Sequence, residues 1–65
     1  MTHHWTEDLK FVIGVFDRSG HLLEELARLH DLDAATAAYA ACRLKYPEKL
    51  ILLSQGGRTL RRSDR

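Results

Sequence analysis

Four histidines, His3, His4, His21 and His30, are the side chains in this 65-residue chain best suited to hold a metal or move a proton. None of their spacings matches the H-E-x-x-H helix motif or the paired ligands of a zinc finger, and the adjacent His3 and His4 on extended chain would point in different directions. They read as surface or structural residues. Asp31 and Asp33 stand two apart with Glu24 and Glu25 close by, but a working carboxylate pair needs a cleft that so short a chain can hardly build. Helix capping accounts for both aspartates. Cys42 is the single cysteine and sits between Ala41 and Arg43, with nothing in the sequence to stabilise a thiolate, so it reads as a buried, inert thiol. Gly56-Gly57 lacks the G-x-G-x-x-G and Walker patterns and does not open a helix, which removes a phosphate cradle. These residues point to no catalytic reaction and call for neither metal nor cofactor.

What remains is charge and apolar pattern. Residues 1–33 carry three basic side chains against seven acidic ones, Glu7, Asp8, Asp17, Glu24, Glu25, Asp31 and Asp33, while residues 34–65 carry seven basic against two acidic. The chain is polarised, although its net charge is only +1. At the C-terminal end Arg58, Arg61, Arg62 and Arg65 surround a single acid, a run able to attract phosphates or an acidic protein surface and equally able to guard an edge strand. A hydrophobic share of 45% with 29% charged residues is a globular balance. This length allows one domain, 1–65, with flexible ends expected at 1–7 and 63–65. A core this small rarely supplies more than roughly 3–5 kcal/mol without staples, so association with a partner is expected. The start of the chain has no apolar h-region, so neither secretion nor a membrane span is expected, and the cytoplasm is the default location.

The elements that must position these groups follow from periodicity. Leu9, Phe11, Ile13 and Val15 alternate as in a strand, and Asp17-Arg18-Ser19-Gly20 has the residues of a type I turn closing on a left-handed glycine. A straight hairpin register pairs Asp17 with His21, Val15 with Leu23, Ile13 with Glu25, Phe11 with Ala27 and Leu9 with Leu29, leaving Glu25 as the one misfit on an apolar face. Residues 21–30 also satisfy helical spacing and are good helix formers; the turn chemistry and the coherent pairing favour strand. Asp31 or Asp33 caps a helix running to about Lys45, with Leu32, Ala35, Tyr39, Cys42 and Tyr46 as its packing stripe, and Pro47 stops it. Leu50 to Leu53 and Thr59 to Arg62 form a second hairpin about Gly56-Gly57, with Leu60 facing Leu53 or Leu52 according to loop length. The sum is an α+β, two-layer ββαββ sandwich, an antiparallel sheet with one helix on one face.

The same register places Phe16 opposite Leu22, Gly14 opposite Glu24, Val12 opposite Leu26 and Lys10 opposite Arg28 on the face without the helix. An apolar patch of Val12, Phe16, Leu22 and Leu26, with Glu24 beside it, is what a protein contact or a homodimer requires, and Trp5 is either its lid or an anchor residue. Nucleic-acid readout fits less well. In a helix-turn-helix the second helix would offer mainly Ala34, Ala37, Ala38, Ala40 and Ala41 to the groove, and of the aromatics an RNA-binding sheet displays only Phe16 qualifies.

The D-x-x-G turn, Asp31-Leu32-x-x-Ala35-x-x-Ala38-Tyr39, and Tyr46-Pro47 leading to Leu50–Leu53 and Gly56-Gly57 resemble short bacterial proteins of hairpin, helix and hairpin. By size and absent catalytic motifs the chain is also similar to phage inhibitors of the anti-CRISPR kind, which occupy a surface of a larger host complex. The expectation is a non-enzymatic, protein-binding module acting by steric occlusion, in its most concrete form an inhibitor of a nucleic-acid-processing complex. The alternatives are a nucleic-acid accessory protein using the C-terminal arginines and a simple homodimer.

Overall fold

Two glycine-bearing turns and one capped helix divide the chain. The structure, a computed structural model, describes residues 10–64. Strands β1 (Phe11–Phe16) and β2 (Leu22–Leu29) precede helix α1 (Leu32–Lys45), and β3 (Leu50–Gln55) and β4 (Arg58–Arg62) follow it. The first turn forms as its residues dictate. Gly20 adopts φ 93°, its N–H donates to the Asp17 carbonyl at 3.1 Å, and Asp17 N–H donates to the His21 carbonyl at 3.0 Å. The second turn has two residues, Gly56 and Gly57, both at positive φ, the conformation that twists a tight hairpin correctly. Asp31 is the cap of α1: its carboxylate accepts from Ala34 N–H at 2.8 Å, Asp33 adds negative charge in the first turn, and Arg43 and Lys45 lie in the last. Among the described residues no helix is long and apolar enough to cross a membrane.

All strands are antiparallel in the order β2-β1-β3-β4, so the expected ββαββ arrangement with one helix is present and residues 22–29 are strand. The register of the first hairpin differs from the straight one. Phe16 pairs with Leu22 as expected, but Val15 pairs with Glu24, Gly14 with Glu25, Ile13 with Ala27, Val12 with Arg28 and Phe11 with Leu29, with irregularities between Ile13 and Gly14 and between Val15 and Phe16. Leu26 and Leu23 are therefore the extra residues of two bulges. The physical reason is Glu25. A straight ladder from Phe16 and Leu22 would bury its carboxylate opposite Ile13, which costs several kcal/mol, whereas the bulge at Leu23 turns Glu25 outward opposite Gly14, and the second bulge at Leu26 brings Ala27 to Ile13 and Arg28 to the outer face beside Glu25. Both Glu25 and Arg28 then lie on the face away from the helix, and they form a two-pronged ion pair at 2.8 and 3.2 Å.

The core lies between the sheet and α1. Ile13, Val15, Ile51 and Leu53 meet Ala35 and Tyr39, with Phe11, Leu26, Ala27, Leu29, Ala38, Cys42, Tyr46 and Leu60 packed around them. Each fully buried aliphatic side chain contributes about 1.5–3 kcal/mol. Leu32, the first residue of the helix, leaves the expected stripe and is 50% exposed. Cys42 is half-buried rather than sealed. Strand β4 also carries an irregularity, where Arg61 pairs with Leu53 and Thr59 with Ser54, so Leu60 opposes neither Leu53 nor Leu52 directly and tucks toward the core. Beyond Arg62, Ser63 fastens β4 to β3: its N–H donates to Ile51 carbonyl at 3.0 Å, and its hydroxyl accepts from Ile51 N–H at 2.8 Å and donates to Lys49 carbonyl at 3.2 Å.

Candidate functional site

Cross-strand partners share a face, so the ladders define the side of the sheet opposite α1. Across it run Leu22, Phe16 and Leu50, one mutually paired row, with Leu52 against Gly14 and Val12 between Arg28 and Ser54. Gly14 is what lets this row close over the strand. A Cβ there would stand 2.6 Å from Leu22 Cδ1 and 3.1 Å from the Glu24 carbonyl oxygen, so Leu22 lies on bare backbone. Leu22 nevertheless remains 51% exposed and Leu23, pushed out by its bulge, 63% exposed, while Leu52 is reduced to 7%. The rim is charged but matched. Glu25 pairs with Arg28 at one edge and Asp64 holds Arg62 through contacts of 2.9 and 3.0 Å at the other. The Arg28 guanidinium holds the Glu25 carboxyl below its ordinary range, and Asp64 raises the Arg62 pKa.

Of the residues singled out from sequence, Val12, Phe16 and Leu22 come together on this face. Leu26 does not, because its bulge turns it toward the helix-side core. Glu24 pairs with Val15 and stands exposed on the helix side. Trp5 and Arg65 lie outside the described residues, as do His3, His4, Glu7 and Asp8. The C-terminal arginines do not form one patch: Arg62 pairs with Leu52 on the open face, while Arg61 pairs with Leu53 and Arg58 with Gln55 on the helix side. The acidic residues are similarly dispersed by their local work, Asp17 in the turn, Asp31 at the cap and Glu25 with Arg28.

One constellation was not anticipated. Asp17, Ser19 and His21 meet in the first turn: Ser19 hydroxyl donates to Asp17 Oδ1 at 2.7 Å and touches His21 Nδ1 at 2.8 Å, while Ser19 N–H and His21 N–H donate to the same Asp17 oxygen at 3.0 and 2.9 Å. The residue types are those of a hydrolytic triad, but the order is wrong. A triad needs the imidazole between hydroxyl and carboxylate, ready to take the serine proton. Here that proton already points at Asp17, so the His21 ring acts as donor to Ser19 Oγ. The trio is turn chemistry, and the His21 and Ser19 N–H groups, with the Ser19 hydroxyl, hold the Asp17 pKa below its ordinary 3.8. The sequence signal was present in the spacing of two between the three residues.

Among the described residues, shallow hollows border the sheet, and two of them matter here. The larger, of about 640 Å³, lies at the sheet end between Phe16, Leu23, Leu50 and the Lys49 and Arg62 side chains. The smaller, of about 410 Å³, lies at the C-terminal end of α1 and is lined by Arg43, Tyr46, Lys49 and Ser63. Among the described residues no three His, Cys, Asp or Glu side chains converge as metal ligands. Comparison of the chain with protein-family models, curated proteins and solved structures returns no match.

Proposed function

We propose that the chain is a protein-binding module that works by contact, docking the sheet face opposite α1 onto an apolar surface of a partner protein. The observation that carries this reading is the pairing of Phe16 with Leu22 on that face, with Leu22 and the adjacent Leu23 left more than half exposed. Large apolar side chains in this position contribute about 25 cal/mol for each Å² they bury against a partner. Charge favours the same class of partner. The rim cation Arg28 is matched by Glu25 and Arg62 by Asp64, so the face offers an apolar centre with neutralised edges, suited to protein rather than to a polyanion. Such a module acts by occlusion, and a larger nucleic-acid-processing assembly is the kind of body a small steric block can inhibit.

Hydroxyl-radical footprinting, read by mass spectrometry on the purified chain and on the chain in native cell extract, tests this. The reading predicts protection of Phe16 and Leu22 in extract with no change at Leu32, which is 50% exposed at the start of α1. Equal modification of the sheet-face residues in both samples would overturn it.

A further inference from the structure

A second surface, on the other side of the sheet, is built from groups that the docking face does not use. Arg43 and Lys45 lie in the last turn of α1, Lys49 follows in the loop, and Arg61 sits on the helix side of β4 by its pairing with Leu53. Two tyrosines gather these cations. The Arg43 guanidinium stands 5.7 Å from the Tyr39 ring, and the Lys45 and Lys49 ammonium groups stand 5.6 and 5.9 Å from the Tyr46 ring. Burial raises the Tyr39 pKa, Arg43 and Arg61 oppose that rise, and the Asp64 carboxylate adds to it, so one acid shares this end with the cations. Arg43, Tyr46 and Lys49 line one hollow of about 410 Å³.

The disposition of the charges separates this end from the rest of the molecule. Arg28 and Arg62 are matched by carboxylates, whereas Arg43, Lys45, Lys49 and Arg61 enter no ion pair among the described residues. The helix dipole explains some of this, since cations are favoured at a C-terminus, but it supplies only about half a negative charge, and with Glu48 beside Lys49 and Asp64 past β4 the four cations are still in excess. Guarding an exposed edge explains Arg61 and not the helix and loop cations.

We infer that the C-terminal end of α1, the Lys49 loop and the helix side of β4 form a binding surface for the phosphate backbone of a nucleic acid, with Arg43, Lys45, Lys49 and Arg61 as its contacts. Cations spread over three elements, lysines among them as point charges on flexible stems, fit a regularly charged polyanion better than the two-pronged recognition of a single carboxylate. Lys49 also borders the hollow beside Phe16 and Leu50, so the two surfaces meet at that residue, and this site replaces the C-terminal arginine run as the place where phosphate would bind.

Fluorescence anisotropy with a labelled oligothymidylate, titrated at several salt concentrations against the purified chain, tests the assignment. Four phosphate contacts predict a slope of log affinity against log salt of about −3, and the Arg43→Gln, Lys49→Gln double variant should reduce its magnitude by roughly 1.4. Arg18→Gln, in the first turn, should leave the slope unchanged, and circular dichroism confirms that each variant is folded. Absence of binding at low salt would overturn the proposal, as would an equal effect of Arg18→Gln. Equal competition by polyglutamate would also overturn it and give the surface to an acidic protein.

Discussion

Asp17 shows how much a single carboxylate can organise. One oxygen accepts from two backbone N–H groups and one hydroxyl, so the ionised form is favoured in the folded chain and the pKa is lowered. A depressed carboxylate stabilises the fold fully above its unfolded pKa, and that contribution is lost as pH falls below 3.8 toward the folded value. Glu25, lowered from 4.5 by Arg28, begins the same loss slightly higher. Asp17→Asn keeps an acceptor oxygen but cannot titrate, so urea denaturation from pH 5 downward should show a shallower acid limb than wild type. Identical limbs would mean that the turn does not depend on the charge. Gly14 makes the opposite demand, for an absent side chain. Alanine in a strand gains roughly 0.5–1 kcal/mol of backbone entropy; its Cβ, 2.6 Å from Leu22 Cδ1, displaces only the tip of a half-exposed side chain, while the Glu24 carbonyl oxygen at 3.1 Å has to yield by a few tenths of an ångström. Gly14→Ala is therefore expected to stay within about 1 kcal/mol of wild type and to swing Leu22 off the strand, seen as changed chemical shifts of the Leu22 methyls. Unchanged Leu22 shifts would show that Leu22 does not rest on Gly14.

Strand β4 is an edge strand that leans on one hydroxyl. Ser63 gives Ile51 N–H its acceptor and Lys49 carbonyl a donor just past the last ladder pair, between Leu52 and Arg62. Ser63→Ala leaves a half-buried N–H unsatisfied, which should cost about 1–2 kcal/mol and accelerate hydrogen exchange at the Ile51 amide. Unchanged exchange there would contradict the clamp. What the sequence disclosed at this scale was local. The D-x-x-G turn, the Asp31 cap and the stop before Pro47 are each decided within a few residues, and all of them stand in the structure. The strand at 22–29, against good helix propensity, was also readable, because the turn aims it back along β1. The bulges were not. Whether the ladder stays straight or slips at Leu23 depends on the cost of burying Glu25 against β1 and α1, a balance set by partners distant in sequence. That slip moved Glu24 and Leu26 off the expected face, the second bulge at Leu26 set Arg28 beside Glu25, and Val12, Phe16 and Leu22 stayed on the face.

For the whole molecule the outcome is two surfaces of different chemistry, separated by a sheet. The side opposite α1 presents Phe16 and Leu22 with matched rim charges, and the helix side gathers cations about Tyr39 and Tyr46 that enter no ion pair among the described residues. The sequence announced the charge asymmetry, but not that Arg62 and Arg61 would lie on opposite faces, because adjacent residues of β4 face opposite ways and only the ladder shows which. The central claim is that the sheet face is the one that meets another protein. Its most direct test replaces Leu22, and separately Thr36 on the exposed side of α1, with a photoreactive benzoylphenylalanine in cells producing the chain, and reads the products by mass. The account predicts protein adducts from position 22 and none from position 36, whereas adducts from the helix position alone, or from neither, would contradict it.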